Sequence, residues 1–274
     1  LLVVMSPVIL WKMIKTGKYR EGLKARLGFF SFQRPQADVI LLHGVSVGEI
    51  LAARPLITTL EKEYPTYQIV ISTTTKTGFE VAQKNYGASH SIVRFPLDFT
   101  FAVKLFLNKV RPNLILLMEL ELWPNFVRQS FVRRIPIVVA NGRITQRSFE
   151  RYAKLSFFSR AMFEKVELYL LQNKEYQQRI ERLGVPIEST RVCGNIKFDS
   201  LPTGMQHQHR IDYRKLFGLK NENLLLIGGS THDTEEKVLI DAYLSLRKEF
   251  GELRLLLVPR HPERWPAVKL LIQS

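Results

Sequence analysis

From residue 38 onward the chain alternates short apolar runs with longer stretches whose apolar positions recur at helical spacing. The runs are DVILLH (38–43), QIVIS (68–72), SIVRF (91–95), NLILLM (113–118), PIVVAN (136–141), LYLLQ (168–172) and TRVCG (190–194). A strand buried on both faces reads as one continuous apolar run, and alternation with helices implies parallel βαβ units. Helical spacing is clearest over Glu49–Glu63, Gly78–Asn85, Phe101–Val110 and Gln146–Lys165. The pattern predicts an α/β domain over 36–197 with a doubly wound parallel sheet.

The polar stretch FDSLPTGMQHQHR has Pro, Gly and no apolar period, so 198–210 reads as a linker. A second series follows over 211–274: NLLLIGGS (223–230), a helix over about Glu235–Phe250, and LRLLLVPRH (253–261). Two strands and one complete helix cannot cover both faces of a doubly wound sheet, so this second domain is expected to be partial.

Composition narrows the class. The 274 residues are 46% hydrophobic and 24% charged, which excludes a disordered chain. The only cysteine, Cys193, excludes an intramolecular disulfide framework and a cysteine zinc site. Forty Lys+Arg against 25 Asp+Glu give a net charge of +15, so an anionic partner is expected. At the start, the apolar LLVVMSPVILW is followed by Lys12, Lys15, Lys18, Arg20, Lys24 and Arg26, opposed by Glu21 alone. Eleven residues are too few to span a bilayer, which takes about 20. The order, apolar then basic, nonetheless reads over 1–35 as the remnant of a membrane anchor with its positive flank on the cytoplasmic side. A buried helix with a solvated face is the plainer alternative. A second basic region lies at 125–165, where nine Lys/Arg face Glu150 and Glu164. It is either a solvated helix face or a surface for phosphates and anionic lipid headgroups. Aromatic and basic residues are not interleaved as in nucleic-acid modules, so no nucleic-acid partner is expected.

In open parallel sheets, ligands bind beyond the carboxyl ends of the strands. Those positions hold His43–Glu49, Thr73–Gly78, Glu119–Asn125 and Asn141–Arg143, then Gly228–His232 and Pro259–Arg264. Carboxylates, hydroxyls, arginines and glycines gather there, which points to a polar, anionic ligand. Ser46-x-x-Glu49 also has the form of a helix capping box, as does Thr77-x-x-Glu80, so the spacing alone leaves Glu49 open between cap and catalyst. Glu119 and Glu121 are two apart and would point the same way if extended, where they need a proton or a cation. Trp123-Pro124 suits a helix start. Gly228-Gly229-Ser230 lacks the dinucleotide fingerprint, and no P-loop sequence occurs. His207 and His209 lie in the polar linker, so no metal is expected.

Taken in order, HGVSVGE, STTTKTG, RFPLDF, ELELWPN, NGRITQRS, CGNIKFD and GST-H…VPRHPER closely resemble the bacterial 3-deoxy-D-manno-octulosonic acid (Kdo) transferases of lipid A biosynthesis, over nearly the whole chain. The resemblance implies a GT-B glycosyltransferase with two Rossmann-like domains facing across a cleft. It also implies inverting, metal-independent transfer of Kdo from CMP-Kdo to a hydroxyl on the glucosamine disaccharide of a lipid A precursor, with no cofactor. Glu49 falls at the family's general-base position. Ser46, Glu119, Glu121 and Arg143 fall in acceptor- and sugar-binding blocks. Asn195, Lys197, Ser230, Thr231 and Arg260 fall in blocks that serve the CMP-Kdo donor. The family's later donor block has no counterpart here, so the second domain is expected to be truncated. The resemblance places the enzyme on the cytoplasmic face of the bacterial inner membrane, against an anionic surface. Two other readings remain open: a GT-B enzyme using a UDP-sugar, and a membrane-surface scaffold without catalysis.

Overall fold

Every apolar run of the first series forms a strand, within two residues of the predicted ends: β1 Asp38–His43, β2 Tyr67–Thr73, β3 Ser91–Arg94, β4 Leu114–Met118, β5 Ile137–Gly142, β6 Leu168–Leu171 and β7 Thr190–Val192. All pair in parallel in one sheet ordered β3-β2-β1-β4-β5-β6-β7. The computed structural model describes residues 22–199 and 212–273. The chain divides into two units between Thr203 and Gly204. The apolar run 1–11, the basic positions 12–20, the histidine pair and nearly all of the proposed linker lie outside the described residues. No helix among the described residues is long and apolar enough to cross a membrane.

Strand alternation builds two cores, one on each face of the first sheet. Val39, Leu41, Ile115 and Leu117 enter one cluster; Ile40, Leu42, Leu116 and Met118 enter the other. Both faces are covered by helices, which is why successive central positions of these strands are apolar. Each fully buried Leu or Ile contributes roughly 1.5–3 kcal/mol of transfer free energy.

The helices, in order, are α1 Leu23–Arg26, α2 Val47–Ala52, α3 Arg54–Glu63, α4 Lys76–Tyr86, α5 Thr100–Val110, α6 Pro124–Val132, α7 Gln146–Lys154, α8 Ser156–Phe163 and α9 Lys174–Arg182. Two stretches predicted as single helices are broken. Glu49–Glu63 divides at Ala53, because Pro55 has no N–H to return to the preceding turn and instead sits in the first turn of α3. Gln146–Lys165 divides at Leu155 (φ −109°, ψ 35°), where the Tyr152 carbonyl accepts both the Leu155 N–H at 3.1 Å and the Ser159 hydroxyl at 2.8 Å.

The second unit pairs β8 Leu224–Thr231 in parallel with β9 Leu253–Pro259. Around them lie α10 Tyr213–Leu216, α11 Glu235–Leu246 and α12 Trp265–Gln273. The first and last of these were not anticipated, and α11 ends before the predicted Phe250.

Candidate active site

The strand order reverses between β1 and β4, and the segments that leave their carboxyl ends carry Glu49, in the first turn of α2, and Glu119–Glu121. This is the switch point of a doubly wound sheet, where the crevice for ligands forms.

Glu49 sits in the first turn of α2 with both carboxylate oxygens held. The Val45 backbone N–H donates to Oε2 at 2.7 Å, and the Ser46 hydroxyl donates to Oε1 at 2.8 Å. This is not the expected capping box: Ser46 occupies the N-cap, but its hydroxyl accepts nothing from the helix and points at the carboxylate instead. Thr77-x-x-Glu80 forms no box either, because α4 is capped from Thr75, whose Oγ1 accepts from Gly78 N–H at 3.1 Å. The same Thr75 hydroxyl donates to the Val45 carbonyl at 3.0 Å, so it fixes the peptide whose neighbour holds Glu49. A Cβ at Gly78 would stand 2.7 Å from Thr75 Oγ1 and 3.3 Å from the Val45 carbonyl, so only glycine lets the two loops approach. STTTKTG therefore supports Glu49 from the neighbouring strand, a role that sequence spacing did not reveal for Thr75.

Burial pushes the Glu49 carboxyl above its ordinary range. The bonds from Val45 and Ser46 oppose this, the Glu119 charge adds to it, and Arg143 opposes it. Glu121 is also raised, chiefly by burial and then by the charges of Glu49 and Glu119. The Trp123 indole N–H lies near enough to oppose that rise but does not reach hydrogen-bond geometry. Glu119 and Glu121 are not presented by an extended segment as expected. Glu119 is left-handed (φ 58°), and its own N–H donates to the Ala140 carbonyl at 2.8 Å. That turn brings its Oε2 to 2.9 Å from Arg143 Nε. Ser46, Glu49, Glu119, Glu121 and Arg143 thus form one electrostatically connected group of three carboxylates, one guanidinium and one hydroxyl. Among the described residues no group of His, Cys, Asp and Glu is arranged to hold a metal ion.

Two further residues shape this end of the sheet. Asn141 is buried and left-handed (φ 56°) within β5, at a register shift against β6. Its Oδ1 accepts from Ile196 N–H at 3.1 Å, which ties Asn195–Lys197 to the strand that precedes Arg143. Within that segment the Asn195 side chain accepts from Lys197 N–H at 3.1 Å, leaving the Lys197 side chain exposed. Asp98, from RFPLDF, accepts from Asn125 N–H at 3.0 Å and Phe126 N–H at 2.8 Å, and so caps α6 just beyond the carboxylates. Asn-Gly at 141–142 was a readable turn signal. Asp98 carried none, since its partners lie 27 and 28 residues away.

In the second unit, Ser230 repeats the device seen at Asn141: it is left-handed (φ 60°) at a register shift between β8 and β9. Bulges of this kind are common beside functional sites. The Ser230 hydroxyl accepts from Arg260 Nη1 at 3.2 Å, and both residues are exposed. Thr231 turns inward instead. Its hydroxyl donates to Glu236 Oε1 at 2.9 Å, and Arg264 Nη1 donates to the same oxygen at 2.7 Å. Burial pushes Glu236 up, but Thr231 and Arg264 outweigh it and hold the carboxyl below its ordinary range.

A doubly wound parallel sheet with a carboxylate group at its switch point, followed by a second unit of parallel strands, is an α/β architecture of the GT-B type. Solved structures agree on the fold. The UDP-N-acetylglucosamine 2-epimerase of Neisseria meningitidis, bound to UDP-GlcNAc, superposes with TM-score 0.58 at 12% identity, over 86% of this chain and 69% of that one. The corresponding epimerase of Methanocaldococcus jannaschii gives 0.55 at 11% identity, over 88% and 70%. The family itself comes from sequence. Residues 21–200 match the family model described as 3-deoxy-D-manno-octulosonic-acid transferase (kdotransferase), and the chain belongs to that family. It is 36% identical to the 3-deoxy-D-manno-octulosonic acid transferase of Haemophilus influenzae, over all of this chain and 65% of the relative. It is 32% identical to that of Chlamydophila psittaci, over 98% and 61%. The chain thus spans 61–65% of the length of these two relatives.

Proposed function

We propose that the protein acts as an inverting Kdo transferase, moving Kdo from CMP-Kdo to a hydroxyl of the glucosamine disaccharide of a lipid A precursor, without a metal or cofactor. The observation that carries this reading is Glu49: a carboxylate at the switch point, with raised proton affinity, held in place by Val45 and Ser46. Glu49 removes the acceptor hydroxyl proton. The acceptor oxygen then bonds to the anomeric carbon of Kdo, and the bond to the CMP phosphate breaks with its electron pair leaving on CMP. A base of raised affinity sits closer to working pH and is the more effective for it. Glu119 and Glu121 orient the acceptor or the sugar. Arg143, half-exposed and engaged through Nε alone, keeps its remaining N–H groups for an acceptor phosphate or the Kdo carboxylate. In the second unit, Ser230 and Arg260 meet the donor's phosphate or base, while Thr231 serves through its bond to Glu236. The exposed Lys197 offsets negative charge on the departing nucleotide. The membrane that holds the acceptor is the anionic partner that the +15 charge predicts.

The test is transfer by the full-length protein with CMP-Kdo and a lipid A precursor, followed by mass spectrometry of the lipid. Glu49→Gln is expected to fold normally and to lose transfer; a fully active Glu49→Gln enzyme overturns the assignment. Isothermal titration with CMP and UDP separates this donor from a UDP-sugar, and failure to bind either supports the non-catalytic alternative.

A further inference from the structure

The junction of α7 and α8 carries a concentration of apolar surface that the fold does not use. Leu155 is 62% exposed, Phe157 83% and Phe158 73%, and the two rings meet edge to face at 5.4 Å. Single exposed apolar residues need no explanation, but three within four consecutive positions form a patch. The same helix buries Ser159 and Phe163 on its other side, so the patch stands on an anchored element.

The charges around it are arranged to match. Arg147, Arg151 and Lys154 recur at helical spacing on α7 and make no ion pair among the described residues. Glu150, the one acid within that stretch, accepts from the Gln146 amide at 2.9 Å. Arg160 is already paired with Glu164 at 2.7 Å. The inner face of α7 buries Phe149 and half-buries Tyr152, whose hydroxyl is perturbed first by burial and then by the charge of Glu121. One helix therefore starts just beyond Arg143, passes the site carboxylates with one face and ends at the exposed aromatics.

We propose that the α7–α8 junction is a membrane wedge: Leu155, Phe157 and Phe158 insert among the acyl chains of an anionic bilayer while Arg147, Arg151 and Lys154 bind its headgroups. This rests on the reading that the acceptor is a membrane lipid, and it adds the residues that bring the site to it. An apolar tip with a basic flank is the signature of interfacial insertion. Free phosphates would use the cations and leave the aromatics without purpose. A second copy of this basic surface would meet like charge.

The test uses the full chain carrying Phe158→Trp, mixed with phosphatidylglycerol–phosphatidylethanolamine vesicles or with phosphatidylcholine vesicles. Emission at 158, read as the difference from the parent chain with its own Trp11, Trp123 and Trp265, is expected to shift to the blue and to be quenched by acyl-brominated lipid on the anionic vesicles only. The emission that Tyr64→Trp adds to the parent, at an exposed aromatic between α3 and β2, is expected to stay unquenched. Leu155→Ser/Phe157→Ser and Arg151→Glu/Lys154→Glu, each combined with Phe158→Trp and checked for native circular dichroism, are each expected to weaken local insertion about tenfold. Three results overturn the proposal: equal quenching at 64 and 158, salt-reversible adsorption without quenching, or a blue shift on concentrating the protein without vesicles, which would mark a contact between copies. No sugar donor is present, so insertion without transfer sinks only the catalytic reading, and transfer without insertion sinks only the wedge.

Discussion

The Ser46 hydroxyl donates to the Glu49 carboxylate at 2.8 Å instead of accepting from the helix that it precedes. Two roles that sequence spacing cannot separate are thereby separated: Glu49 satisfies the N-terminal backbone through Val45, and Ser46 serves Glu49. A hydroxyl that donates to a carboxylate favours its charged form, so Ser46 partly offsets the rise that burial imposes.

Ser46→Ala removes that offset and should raise the proton affinity of Glu49 further. A base must be deprotonated to act, so the acidic limb of the kcat/KM profile should move to higher pH while the plateau changes little. Stability should change by less than about 1 kcal/mol, the usual cost of losing a true N-cap, because no cap bond is lost. A pH–rate profile of the full-length enzyme checks this. A limb that stays in place, or moves to lower pH, removes Ser46 from the machinery.

Asn141 is held left-handed while its side chain secures Ile196, so it does two things that substitution can pull apart. Asn141→Gly loses the side-chain bond but fits the backbone. Asn141→Ala loses the bond and adds about 1–2 kcal/mol of left-handed strain. The glycine variant should be destabilised by roughly 1–3 kcal/mol and the alanine variant by about 1–2 kcal/mol more. Amide exchange at Ile196 should quicken in both, and an Ile196 amide as protected as in the parent would contradict the role.

The architecture was legible where one physical cause dominated. The β1 run is apolar between its ends because helices cover both faces of the sheet, and the strand begins and ends with the run, at Asp38 and His43. The breaks at Ala53 and Leu155 were less visible. Pro55 is compatible with either a break or a helix start, and the Ser159 bond to Tyr152 spans seven residues that no helical period predicts. In the site, Glu49, Glu119 and Glu121 stood out as carboxylates at strand ends, but their mutual orientation did not, because a left-handed Glu119 is a tertiary outcome. The bond from Thr75 to the Val45 carbonyl spans 30 residues and those of Asp98 span 27 and 28, so neither left a local pattern. The exposed phenylalanines at 157 and 158 sat inside a segment read for its arginines, and only the break between α7 and α8 turns them outward.

His43 offers a test of the first sheet that does not depend on catalysis. It is fully buried at the end of β1, stacked on Phe95 at 3.8 Å, with Nδ1 3.1 Å from the Ser72 carbonyl. Burial lowers its pKa to about 3 from 6.5, the Ser72 carbonyl opposes this, and Arg26 deepens it. The unfolded chain therefore takes up a proton near pH 6.5 that the folded one refuses, so stability falls as pH drops from 6.5 toward 3. Across the whole window the loss is on the order of 4–5 kcal/mol, and by pH 4 it has reached about 3 kcal/mol. Glu49, Asp98 and Glu121 act with the opposite sign, since their raised carboxyls bind protons more readily when folded. His43→Phe, which preserves the stack and cannot titrate, isolates the histidine. It should be less stable than the parent at pH 7, having lost the Ser72 contact, yet its stability should fall less steeply below pH 6.5. Urea unfolding of both proteins between pH 7 and pH 4 measures the difference, and parallel curves would mean that His43 is reached by protons in the folded state.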